Sequence, residues 1–291
     1  MAQTLHLRKR IIHIIREIPQ RPILTTSLVL FVVVALLLSI SIPLHQGRLS
    51  EYMISVLLEA HGMIFDIAVI GILILWLNKS GEKQINIKNH HNEIDDFRDW
   101  KSAEASYRIL GAIKRLNRED ICKIDLHECF LRTINLSYIN LQGSNMNYAD
   151  LAQAKLIDAM LDNTRLNQAN LENATLNKAS LRFAFLSGAN LTGASGIKAD
   201  FEYAFLIKAN FRNSHMISAN FRGTDLSGAN FENAHLYMAD FTGAKGLTIE
   251  QLAQAKNLTK AKFDEDLYNQ IKINHPALLE NVTGNSMAAN S

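Results

Sequence analysis

Residues 120–246 predict an all-β solenoid of about six coils, and three observations carry that reading. Every fifth residue from Leu126 to Phe241 is large and apolar, and of the 24 positions in this series only Gly196 departs from the rule. From Ala149 onward a small residue sits two before each: Ala149, Ala154, Ala159, Ala169, Ala174 and so on, with Thr164, Ser214 and Thr224 as substitutes. The period of five is neither the 3.6 of a helix nor the 2 of a strand.

A five-residue unit with inward side chains at its centre and at centre minus two must turn a corner each time. Four corners close a coil of 20 residues, and stacked coils pair at the inter-strand spacing of ~4.8 Å, so about six coils give a rod of roughly 25–30 Å. Burying each central Leu or Phe contributes about 1.5–3 kcal/mol gross, against a backbone ordering cost of ~1–2 kcal/mol per residue.

Residues 20 apart should then stack. Asp162, Arg182, Glu202 and Arg222 form a column of alternating sign, and Arg212 and Glu232 part of another. Phe201, Phe221 and Phe241 fall on one face, and Phe211 and Phe231 on the opposite one. The triplet Ala149-Asp150-Leu151 recurs in kind at 169, 189, 199, 209, 219, 229 and 239, and Asn and Asp suit corners because their side chains hydrogen-bond local backbone.

With its Ala-(Asn/Asp)-(Leu/Phe) unit the segment resembles the pentapeptide-repeat family. The resemblance covers about 120 residues and implies a right-handed quadrilateral β-helix. It implies little about function, because a fold is shared by many activities.

The irregular coils before Ala149 carry Ile124, Cys129, Ile134 and Ile139 at the small position, so the square is expected to be distorted or wider there. At Gly196 a local bulge is expected, with Ile197 as the filler.

Residues 1–22 form a basic N-terminus containing Arg8, Lys9, Arg10, Arg16 and Arg21. The uncharged run Ile23–Leu44 extends about 33 Å as a helix, enough for ~30 Å of hydrocarbon; a cleaved signal peptide is the competing reading, against which the run is too long. A short polar loop leads to a second apolar segment, Met53–Leu77, so 23–77 reads as a transmembrane helical hairpin embedded in lipid. Lys79, Lys83 and Lys88 follow it. Positive charge flanks both open ends, which by the positive-inside rule places both termini and the repeats in the cytoplasm of a two-span cell-membrane protein.

Residues 78–119 read as a linker of one or two amphipathic helices, with Ile94, Phe97, Tyr107, Leu110, Ile113 and Leu116 at helical intervals. Its last part, Ser106–Asn117, should cap the solenoid. Residues 247–291 form a C-terminal helical cap and tail. Thr248 and Gln251 make a capping box for a helix to about Ala255; Ala261 and Phe263 look like a further repeat, Asp264–Asn274 is a last helix stopped near Pro276, and the tail from Thr283 is expected to be disordered.

Candidate sites are few. The second span carries Glu59, His61 and Asp66; ionisable groups in a span suggest a proton- or cation-sensitive site or a polar contact between copies, unless the span starts later and they are hydrated. Cys122 and Cys129 lack zinc or redox spacing. His215 and His235 stack as a surface ladder without a third metal ligand. No glycine-rich phosphate loop or nucleophile motif occurs, so no enzyme, cofactor or metal is expected.

The informative feature is aromatic. Arg182-Phe183-Ala184-Phe185 stacks under Glu202-Tyr203-Ala204-Phe205. With both alanines inward, Phe183, Phe185, Tyr203 and Phe205 must point outward, as in a protein-binding patch, or simply to stabilise neighbouring coils. The expectation is a non-enzymatic, membrane-anchored interaction scaffold acting on a protein partner, with homo-oligomerisation through the C-terminal helices as a further expectation. The alternative is a small membrane sensor or transport component using Glu59, His61 and Asp66. A third reading is the DNA mimicry by which some pentapeptide-repeat proteins protect topoisomerase. It needs an acidic rod, yet residues 120–245 hold 12 acidic and 11 basic residues, so no nucleic-acid-like role is expected.

Overall fold

The computed structural model describes residues 51–279. The basic N-terminus, the expected first span and the tail from Thr283 lie outside them. Two compact units are present, one running to Asn86 and one from Ile87.

Helix α1 runs unbroken over Glu51–Phe97, 47 residues. The second apolar segment and the first part of the expected linker are therefore one continuous helix. Asn78–Phe97 contains no proline, and the single Gly81 costs a helix only ~1 kcal/mol. Within the first unit, Phe65, Ile67, Ile70, Leu73, Ile74 and Trp76 are all exposed. By length and composition Leu58–Phe97 is the one described stretch apolar enough to cross a membrane, and none of its apolar window is buried.

Helix α2, Ala103–Arg118, starts at Ser102, whose hydroxyl accepts the Ala105 N–H at 3.1 Å. It buries Ile109, Ala112, Ile113 and Leu116 against the first coil, while Tyr107 points to solvent instead of the core. It also covers the coil's open edge, where unpaired backbone groups would otherwise recruit another chain. The Ser106 hydroxyl donates to the Phe130 carbonyl (2.8 Å). The Asn117 amide both accepts from the Asn140 N–H and donates to its carbonyl, each at 2.9 Å.

The coils follow with parallel bridges 20 residues apart, from Asp125 with Asn145 to Asp225 with Lys245. Each five-residue unit uses its backbone N–H groups in a fixed way. The central residue and the second after it donate to the next coil, as Leu126 to Asn145 (2.7 Å) and Glu128 to Asn147 (3.0 Å). The third after it closes the corner, Cys129 to Leu126, and the bridge residue donates back, Asn145 to Ile124.

One N–H is left over, on the residue just after the centre. Where the residue just before the centre is Asn or Asp, it goes to that side chain: Ala152 to Asp150, Thr192 to Asn190, Arg212 to Asn210. Elsewhere an Asn 20 residues earlier serves, as Asn167 for Ser187. The recurring Asn/Asp is thus the acceptor for the one backbone N–H of its unit that the coil ladder leaves over.

Each corner from Glu128 to Gly243 has positive φ at the second residue after the centre. Non-glycine residues adopt this region at a cost of ~1–2 kcal/mol, which the coil stacking imposes.

The central residues form one buried column system, with Phe201, Phe221 and Phe241 stacked 5.0–5.1 Å apart and Phe211 over Phe231 at 5.2 Å. The two stacks meet edge to face, as in Phe201 with Phe211 at 6.1 Å. The early coils keep the 20-residue register despite their isoleucines. Gly196 does not bulge either: its bridge Ser195 with His215 is regular, and Met216 of the next coil fills the space while Ile197 stays half-buried.

The far end closes in steps. Thr248 and Gln251 form the capping box of a short helix α3, Ile249–Ala253. The chain then resumes a coil, with His235 bridging Asn257 and Asp240 bridging Lys262, and Phe263 stacks on Phe241 at 5.4 Å. Helix α4, Glu265–Asn274, and a 3-10 turn, Pro276–Leu278, lay Ile271, Leu267 and Leu278 on the last coil.

Candidate functional site

Two columns of outward side chains flank the corner whose small inward residues include Ala184 and Ala204. One reads Lys123, Gly143, Asn163, Phe183, Tyr203, Gly223; the other Asp125, Asn145, Arg165, Phe185, Phe205, Asp225. Ala184 and Ala204 are buried, so the rings beside them must leave the core. Phe183 stacks on Tyr203 (5.3 Å, 13°) and Phe185 on Phe205 (5.0 Å, 3°). Each ring nevertheless keeps 40–49 % exposure, because stacking covers only faces and not edges. Gly223 leaves room for Tyr203: a Cβ there would lie 2.5 Å from Tyr203 Cε1.

Charged residues flank the rings. Arg182 pairs with Glu202 at 2.6 Å and holds its guanidinium 5.9 Å from the Phe183 ring centre. The column alternates in sign but does not pair throughout: Arg222 turns to Asp240 at 3.7 Å, and Asp162 accepts the Arg182 backbone N–H and the Ser180 hydroxyl. Arg212 and Glu232 pair at 3.3 Å.

Below the rings, toward the first coil, lies a depression of about 570 Å³ lined by His91, Lys123, Asp125, Asn145, Arg165 and Phe185, among others. The sequence reading passed over it. The columns Lys123–Gly143–Asn163 and Asp125–Asn145–Arg165 were legible at 20-residue spacing, but nothing in the repeat signals that α1 brings His91 beside them. Asp125 is already occupied, accepting from Asn145 Nδ2 (2.9 Å) and lying 3.8 Å from Arg98.

Glu59 and Asp66 lie exposed on α1 and His61 is half-buried there. Among the described residues no cluster of three or more His, Cys, Asp or Glu could hold a metal. His215 and His235 stack at 4.9 Å. Cys122 and Cys129 are free thiols, and burial pushes Cys129 up to about 12 despite the nearby Arg98, which leaves it inert near neutrality.

A coil of four five-residue faces, capped at both ends and carrying no catalytic constellation among the described residues, defines a β-solenoid repeat protein. The sequence profile of pentapeptide repeats matches eight copies here, in segments that together span residues 134–245. The chain is similar to HetL, a pentapeptide-repeat protein involved in heterocyst differentiation regulation from the cyanobacterium Nostoc sp. strain PCC 7120, at 31% identity over 48% of this chain and 70% of that one, TM-score 0.33. A second pentapeptide-repeat protein from Nostoc PCC 7120 is 30% identical over 39% of this chain and 84% of its own, TM-score 0.20. Full-length QnrB1, a plasmid-mediated fluoroquinolone resistance protein, is 15% identical over 48% and 84%, TM-score 0.29. No curated protein matches the chain. The chain belongs to the pentapeptide-repeat family.

Proposed function

We propose that this protein is a non-enzymatic scaffold that holds a protein partner at the cytoplasmic face of the cell membrane, anchored by a two-span hairpin over residues 23–77. The observation that carries the reading is the pair of ring stacks, Phe183 on Tyr203 and Phe185 on Phe205. The purely structural account of such rings is inter-coil stacking, yet the buried central residues Leu181, Leu186, Phe201 and Leu206 already hold the same two coils together from inside. Outward rings add adhesive area that a solvated face does not need. The exposed apolar surface of α1 supports the anchor.

The test is affinity capture from gently solubilised native membranes. Wild type is compared with a variant carrying Phe183, Phe185, Tyr203 and Phe205 all changed to Ser. A partner held by the wild type and lost from a still-folded variant is the expected result; identical proteins recovered with both would reduce the patch to stacking.

A further inference from the structure

The solenoid segment 120–245 contains five arginines, and four have a carboxylate within 4 Å: Arg132 with Asp150, Arg182 with Glu202, Arg212 with Glu232, Arg222 with Asp240. Among the described residues Arg165 has no such partner, and its guanidinium is exposed at the wall of the depression. Lys123 lines the same wall and is likewise unpaired with any carboxylate, while the depression's own acid, Asp125, is committed to Arg98 and Asn145. Gly143 and Asn163 continue the wall above Lys123 with short side chains, and Phe185 lines the depression as well, its ring continuing into the stack with Phe205.

We propose that the depression and the rings beside it form one site for a short acidic segment of a partner protein that also carries an aromatic side chain. This rests on the reading of the ring face as protein-binding and specifies what is bound. Carboxylates of the segment pair with the Arg165 guanidinium, a planar fork suited to bidentate capture, and with Lys123. The aromatic side chain packs on the exposed edges of Phe185 and Phe205. The volume suits a few residues of peptide and lies within the range of ligand pockets. A peptide fits better than a lipid headgroup, because a ring wall beside two cations matches a chain that alternates acid and aromatic groups.

The full chain in mild detergent is immobilised and used to select from a random 12-residue peptide library displayed on phage, in parallel with Arg165→Gln/Lys123→Gln. Wild type should enrich peptides with Asp or Glu next to Phe, Tyr or Trp, and the double variant should lose that enrichment. A fluorescein-labelled copy of the best peptide should bind at least tenfold more weakly to Arg165→Gln and weaken further as salt rises. Neutral or basic peptides, no enrichment, or equal enrichment on the double variant overturns the proposal. So does Arg165-dependent binding of phosphatidylserine vesicles with no acidic peptide selected, which assigns the site to a headgroup. The captured partner of the four-serine comparison separates the two readings: if it is lost from the serine variant but held by Arg165→Gln/Lys123→Gln, the scaffold stands and the acidic-segment proposal falls.

Discussion

Met216 occupies the space that Gly196 leaves empty in the coil before it: a Cβ on Gly196 would lie 2.5 Å from Met216 Sδ. The one missing central side chain in the repeat is thus supplied from 20 residues later. Gly196 also lacks the positive φ of the corner glycines, so a larger residue there meets a packing obstacle and no backbone one.

Gly196→Leu alone should destabilise by about 1–3 kcal/mol through overpacking. Met216→Ala alone should cost about 2–5 kcal/mol through the cavity it leaves. The double variant should be more stable than the sum predicts, with a coupling of roughly 1 kcal/mol or more. Urea denaturation of all four proteins measures this, and strict additivity would show that the two positions do not share one space.

The Asn/Asp before each centre should matter most where the N–H it accepts is buried. Ala152 is such a case: it is 1 % exposed and its N–H goes to Asp150 Oδ1. Asp150→Ala leaves that donor unsatisfied and should cost about 1–3 kcal/mol. Asp150→Asn keeps the acceptor and loses only the half-exposed pair with Arg132, worth at most about 1 kcal/mol. Thermal unfolding midpoints should therefore rank wild type, Asn, Ala; equal losses for Asn and Ala would mean that the charge and not the acceptor is what counts.

The repeat was readable because its physics is local and recurs. A five-residue period, a small corner residue and an Asn/Asp acceptor each repeat until chance is excluded, and even the two core phenylalanine stacks follow from counting by 20. Gly196 was misjudged as a bulge because its filler lies one coil away, where a local reading looks to Ile197. The continuity of the helix through Phe97 was not legible for another reason: the change from apolar to charged composition near Asn78 marks an environment, and it does not say whether the helix ends there. The ring patch was legible from Ala184 and Ala204. The basic depression was not, since His91 reaches its wall from a helix whose approach to the first coil depends on tertiary packing of Ile94, Ile109 and Ile113.

Asn117 imitates a strand for the first coil through its paired bonds to Asn140. Asn117→Ala should expose both backbone groups of Asn140, destabilise the first coil by about 1–3 kcal/mol and open a sheet edge to another chain. Static light scattering should detect concentration-dependent association that the wild type lacks. An unchanged size together with an unchanged unfolding midpoint would show that α2 protects the edge by coverage alone.

His235 gives the solenoid a dependence on mild acid. Burial, then Lys256, then the stacked His215 hold its imidazole below the usual histidine value. The folded state therefore takes up this proton less readily than the unfolded chain, whose histidine titrates near about 6.5. The stability associated with His235 is full above that pH, is lost as pH falls through it, and levels off below the lowered folded value. Thermal unfolding followed from pH 8 to pH 5 should show the wild-type midpoint falling below about pH 6.5, and falling less in His235→Gln. His215→Gln removes the stacked neighbour and should shrink the same decline partly, because burial and Lys256 remain. If the three proteins lose stability in parallel, the acid sensitivity of the fold lies elsewhere than in this histidine pair.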